Sequence, residues 1–114
     1  MRRPFILFLL MIFPAAALAQ DSPRVHIVYA ADWAPISQGE ESAVRGILPD
    51  LVEEIIHRRM GIAVRHSGQP WGRAQALVES GRADAFVTTA TQTRLAFAER
   101  SRETLLLVPF QAFA

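Results

Sequence analysis

Short β-rich apolar runs alternate with helix-length amphipathic stretches along this chain, and an alternation of that kind leaves few architectures open. Val25 to Ala30 reads Val-His-Ile-Val-Tyr-Ala, a buried strand. Asp32-Trp33-Ala34-Pro35 interrupts it, and Ser37 to Glu41 is expected as polar loop. Asp50 to Met60 is the clearest helix. Leu51, Val52, Ile55 and Ile56 form one stripe, with Glu53, Glu54, Arg58 and Arg59 on the other. Acids come early and bases late, as the helix dipole favours, and Gly61 is a natural stop. A strand is expected over Ile62 to His66. A second helix runs from Trp71 to Ser80, opened by Pro70, closed by Gly81 and striped by Ala74, Leu77 and Val78. Ala83 to Thr88 reads as a third strand, Arg94 to Arg100 as a short helix, and Thr104 to Phe113 as a fourth strand with Pro109 at an edge or bend. The expected fold class is α/β, a mostly parallel sheet flanked by helices.

Residues 1–19 have a different character. Arg2 and Arg3 precede an unbroken apolar run from Phe5 to Phe13, Pro14 breaks it, and Ala17 and Ala19 place small residues at −3 and −1 of a cleavage site before Gln20. Phe5 to Ala19 is 15 residues, short of the roughly 20 that span hydrocarbon. The segment reads as a signal peptide cleaved after Ala19, which leaves no stable membrane anchor and sends residues 20–114 to the periplasm.

Cleavage also changes the charge. The chain has 12 basic residues, all arginine, against 11 acidic ones; without Arg2 and Arg3 the count is 10 against 11, a net charge of −1. Nucleic-acid binding needs a clustered basic footprint that such a surface lacks. The absence of cysteine excludes disulfides, thiolate nucleophiles, cysteine metal sites and a lipoprotein anchor. His26, His57 and His66 show no metal-ligand spacing and build no Ser-His-Asp arrangement, so the sequence points to no metal, no cofactor and no enzyme.

Four stretches in order carry a resemblance. They are Trp33-Ala34-Pro35 after the first strand; Gly46-Ile47-Leu48-Pro49-Asp50-Leu51 entering the first helix; Pro70-Trp71-Gly72-Arg73 with Gly81-Arg82-Ala83-Asp84-Ala85; and Thr91-Gln92-Thr93-Arg94 with the Leu-Ala-Phe-Ala run after it. Together they resemble family 3 of the bacterial extracellular solute-binding proteins, the polar-amino-acid type, over residues 24–114. The resemblance implies the first lobe of a type II periplasmic-binding-protein fold, in which two α/β lobes close on a small solute. A complete member is more than twice this length, and the chain stops at Ala114 inside an apolar run. The expectation is therefore a truncated, partial solute-binding domain over residues 20–114. A lone first lobe cannot enclose a solute, and weak or undetectable binding is expected of it.

The resemblance implies ligand-binding roles residue by residue. Arg94 holds the position of the arginine that clamps a solute carboxylate, chemistry that suits the planar fork of a guanidinium. Thr88, Thr89 and Thr91 follow the third strand, where open α/β sheets bind ligands; turn capping by threonine fits the same positions. Trp33 matches an aromatic that packs over the solute, although large aromatics also fill cores. Amino-acid binders carry an aspartate a few residues earlier; this chain has Ala30 there, and Asp32 lies near but out of register. Trp71 reads as a cover for the sheet. Arg73 is open between a ligand role and pairing with an acid.

The function implied is capture of a small polar, carboxylate-bearing solute for a membrane ABC-type importer. The alternatives are a sensory or regulatory region of a larger envelope protein, such as a sensor kinase or lytic transglycosylase, and a non-functional gene fragment.

Overall fold

A computed structural model of the chain describes residues 23–109. The expected signal peptide and the far end of the expected fourth strand lie outside that range.

β1 (Val25–Ala30) is the centre of a three-stranded parallel sheet, with β4 (Val64–Gln69) on one side and β5 (Ala85–Phe86) on the other. β1 and β4 pair over six residues, from Val25 opposite Val64 to Ala30 opposite Gln69. Alternate β1 side chains point to opposite faces of a sheet, and both faces are covered. Ile27 and Tyr29 pack with Leu48 and Val52 of helix α1 (Ile47–Val52), while Val28 packs with Ala74 of helix α2 (Trp71–Glu79) and with Ala83. All seven are buried. The result is a helix–sheet–helix sandwich, the α/β class expected. Burying each larger aliphatic side chain contributes roughly 1.5–3 kcal/mol.

The second stripe, Ala74, Leu77 and Val78, packs where periodicity placed it, whereas of the first only Val52 and Ile56 reach the core, joined by Leu48, and α1 begins earlier than Asp50. Its first turn contains Pro49, which costs little at a position whose N–H has no intrahelical partner. The carbonyls of Pro35 and Ile36 accept from the free N–H groups of Ile47 (3.2 Å) and Leu48 (3.0 Å). Gly46 permits this approach: its φ is 133°, and a Cβ there would stand 2.7 Å from the Ile36 carbonyl oxygen. Beyond Val52 the helix widens into a π-helical segment, Glu53–Arg59, which ends with Met60 N–H donating to the Ile55 carbonyl at 3.1 Å.

The stretch between β1 and α1 is more ordered than a polar loop. β2 (Asp32–Trp33) and β3 (Ser37–Gln38) form a small antiparallel hairpin around a cis Ala34–Pro35 peptide. The chain then doubles back so that Gln38 pairs with Arg45 and Glu41 with Gly68. That last pairing covers the free edge of β4.

β4 itself is displaced from the expected Ile62–His66. Its second half, Ser67-Gly68-Gln69, is polar yet buried, because Glu41 lies over it and accepts from Gln69 Nε2 at 2.9 Å. β5 is shorter than the expected Ala83–Thr88, since the Asp84 carboxylate accepts the His26 N–H at 2.7 Å in place of a backbone carbonyl. The short helix lies at Gln92–Leu95 (α3), not Arg94–Arg100, because the Thr91 hydroxyl caps it by accepting from the Arg94 N–H at 3.3 Å. Residues 104–109 form no strand; Leu105 and Leu106 instead pack onto the α1-side core. Among the described residues, no helix is long and apolar enough to cross a membrane.

Candidate functional site

The sheet order β4-β1-β5 makes the chain leave β1 to one side and return on the other. A crevice opens where strand order reverses in this way, beyond the carboxyl ends of the two strands concerned. The described cleft is there. It has a volume of about 310 Å³ and is lined by Ala30 at the end of β1, Asp32 and Trp33 of β2, Val87 and Thr88 just past β5, and Trp71 at the start of α2.

Each wall has a local cause. Trp33 is held by antiparallel pairing with Ser37, whose buried hydroxyl donates to the Ala30 carbonyl at 2.7 Å. Trp33 nonetheless remains 39% exposed, an apolar surface turned outward at the cleft rim. Trp71 enters α2 directly after β4 and meets Phe86 edge-to-face at 5.6 Å, and Phe86 in turn lies 6.2 Å from Phe97. Trp71 is thus both a cover for the sheet and a cleft wall.

Arg94 stands beside this wall. Its guanidinium carbon is 5.3 Å from the Trp71 ring centroid. Nη1–H donates to the Thr89 carbonyl at 2.9 Å, and Nε–H donates to Gln75 Oε1 at 3.2 Å. A guanidinium has five N–H donors. These two contacts leave three, on a cation already oriented by a ring and two acceptors.

Of the residues the sequence singled out, Trp33 and Thr88 line the cleft, and Arg94 and Thr89 flank it. Thr89 acts on Arg94 through its carbonyl. The Thr91 hydroxyl is turned to the N-terminus of α3, the capping role rather than a cleft wall. Arg73 is exposed on α2 and pairs with no acid among the described residues. Sequence reasoning gave no site role to Asp32, Val87 or Gln75, and it read Trp71 as sheet cover. The usable signal was topological: Trp71 follows β4 without a loop, so it had to sit at the carboxyl edge of the sheet.

The histidines lie elsewhere. On the α1 face, Glu53 accepts from His57 Nδ1–H and from His66 Nε2–H, the latter at 2.7 Å. With Nε2–H donating to Glu53, Nδ1 of His66 can accept, and the Tyr29 O–H donates to it at 2.8 Å. Burial, and secondarily the Glu53 charge, push the Tyr29 hydroxyl well above its ordinary range, so it remains a donor. The two histidine hydrogen bonds hold the Glu53 carboxyl below its ordinary value. Among the described residues, no group of three or more histidine and acidic side chains is placed to hold a metal ion.

Fold and cleft together define an α/β domain with an aromatic-walled crevice at the point where its sheet reverses order. No protein-family model, curated protein or solved structure matches the chain.

Proposed function

We propose that the chain is the first lobe of a periplasmic solute-binding protein of the family 3 type, with a type II periplasmic-binding-protein fold. It captures a small, polar, carboxylate-bearing solute for an ABC-type importer. The observation that carries the reading is Arg94. A guanidinium stacked on Trp71 and anchored to the Thr89 carbonyl stands at the rim of a cleft in the crevice of a reversing parallel sheet. Its remaining N–H donors match a carboxylate, and the exposed Trp33 supplies apolar cover. Closure on the solute is the work of such a protein, and no covalent step is required of it.

Saturation-transfer NMR suits the weak complexes expected of one lobe. The exported chain is mixed in turn with L-glutamate, L-arginine, glutarate and glucose. Transfer to carboxylate-bearing compounds alone, lost in Arg94→Ala, is the expected result. Equal transfer to glucose, or transfer unchanged by Arg94→Ala, overturns the reading.

A further inference from the structure

The chain changes faces of the sheet between Phe97 and Leu105. Phe97 lies 6.2 Å from Phe86, which packs with the α2-side cluster, whereas Leu105 and Leu106 pack onto the α1-side core. Between these apolar anchors, Glu99-Arg100-Ser101-Arg102-Glu103-Thr104 are all exposed and form neither helix nor strand. No backbone–backbone hydrogen bond joins them to a described residue, and their charged side chains make no ion pair with one. Their one hydrogen bond among the described residues is local, from the Ser101 hydroxyl to the Glu103 carbonyl at 2.8 Å. An endopeptidase takes its substrate extended, and it can seat such a stretch without opening a helix or a strand. The other described arginines lack that freedom. Arg58 and Arg59 lie in the π-helical segment and pair with Glu54, Arg65 is in β4, Arg73 in α2 and Arg94 in α3. Arg45 and Arg82 have backbone N–H groups committed to the Gln38 and Leu77 carbonyls, and Arg24 adjoins the central strand.

We propose that residues 99–104 are a processing site for an arginine-directed endopeptidase of the trypsin type, cut first between Arg100 and Ser101. The small Ser101 follows that bond, whereas Glu103 sets a carboxylate against the bond after Arg102. Water adds across the peptide bond, leaving a carboxylate on Arg100 and an amine on Ser101, and no other reactant is consumed. The cut falls after every residue that lines or flanks the cleft, the last being Arg94, and before Leu105 and Leu106. It therefore releases part of the cover of the α1-side core and spares the cleft.

The test is digestion of residues 20–114 with a trace of trypsin, followed by intact mass. The pair 20–100 and 101–114 should appear first. Cuts at Arg58, Arg65 and Arg73 should be about tenfold or more slower, because they wait on local opening. Arg100→Gln, an exposed substitution, should move the first cut to the bond after Arg102, and adding Arg102→Gln should leave the chain whole over the same period. The chain has two tryptophans, and both line the cleft. The nicked chain should therefore keep the indole emission of the uncut one while unfolding at a lower temperature. First cuts inside the helices or strands, equal rates at all the arginines, or a first cut unmoved by Arg100→Gln overturn the site. Emission altered by the nick, or an unchanged unfolding temperature, overturns the division between a spared cleft and an uncovered core.

Discussion

The guanidinium carbon of Arg94 lies 5.3 Å from the centre of the Trp71 ring, joining a residue of the short helix α3 to the first turn of α2. Between them these residues fix one wall of the cleft. Stacking and the Thr89 and Gln75 hydrogen bonds use the planarity of guanidinium as well as its charge.

Arg94→Lys is therefore not conservative here. Lysine keeps the charge but presents an ammonium without the planar fork. Binding of a carboxylate solute should weaken about tenfold or more, ~1.4 kcal/mol, and Trp71 emission should shift in the unliganded chain. Affinity and spectrum both matching the parent would show that Arg94 is neither clamp nor stack.

Ser37→Ala tests the hairpin that holds Trp33. It removes a fully buried hydroxyl and leaves the Ala30 carbonyl without that donor. A loss of about 1–3 kcal/mol is expected in urea unfolding, together with a change in Trp33 emission. An unchanged unfolding midpoint would mean that the hairpin is not integral to the domain.

Gly68→Ala should be far more damaging. A Cβ at Gly68 would stand 1.8 Å from the Gly39 carbonyl oxygen, a backbone atom that cannot swing aside. The pairing of Glu41 with β4 would have to open, at a cost of about 3 kcal/mol or more. The measurement is the thermal midpoint by circular dichroism, and a midpoint equal to the parent's would show that this edge is not closed in solution.

Glu53 links the π-helical segment after α1 to the sheet through His66. Its carboxyl is held below its ordinary value of 4.5 by hydrogen bonds from His66 and then His57. The folded chain thus binds this proton less readily than the unfolded chain. The contribution is fully present above pH 4.5 and is lost as pH falls through the lowered folded value. Glu53→Gln should remove that part of the acid limb in urea unfolding run from about pH 3 to about pH 7. The side chain is 35% exposed, so the effect should be small and should shrink with salt. Identical pH profiles for the two chains would contradict the assignment.

Much of the fold was legible because two periodicities coexist. Val25–Ala30 and the Ala74, Leu77 and Val78 stripe lie where alternation and helical spacing put them. Two of the misplacements share one cause, side chains standing in for backbone or covering it. Ser67 to Gln69 look like loop in sequence and become strand because Glu41 satisfies them from outside. Asp84 caps what would have been a longer β5. At the site, Arg94 and Trp33 were legible through the resemblance. Asp32 was not, since only the hairpin brings it to the cleft beside Trp71.

The most direct test of the cleft as a solute site is a 1H–15N NMR titration of residues 20–114 with millimolar L-arginine. Shifts should concentrate on the indole N–H groups of Trp33 and Trp71 and the amides of Asp32, Thr88 and Thr89, and should vanish in Arg94→Ala. Shifts confined to the Tyr29, Glu53 and His66 face, or shifts at the cleft that persist in Arg94→Ala, would contradict the assignment of this crevice as the binding site.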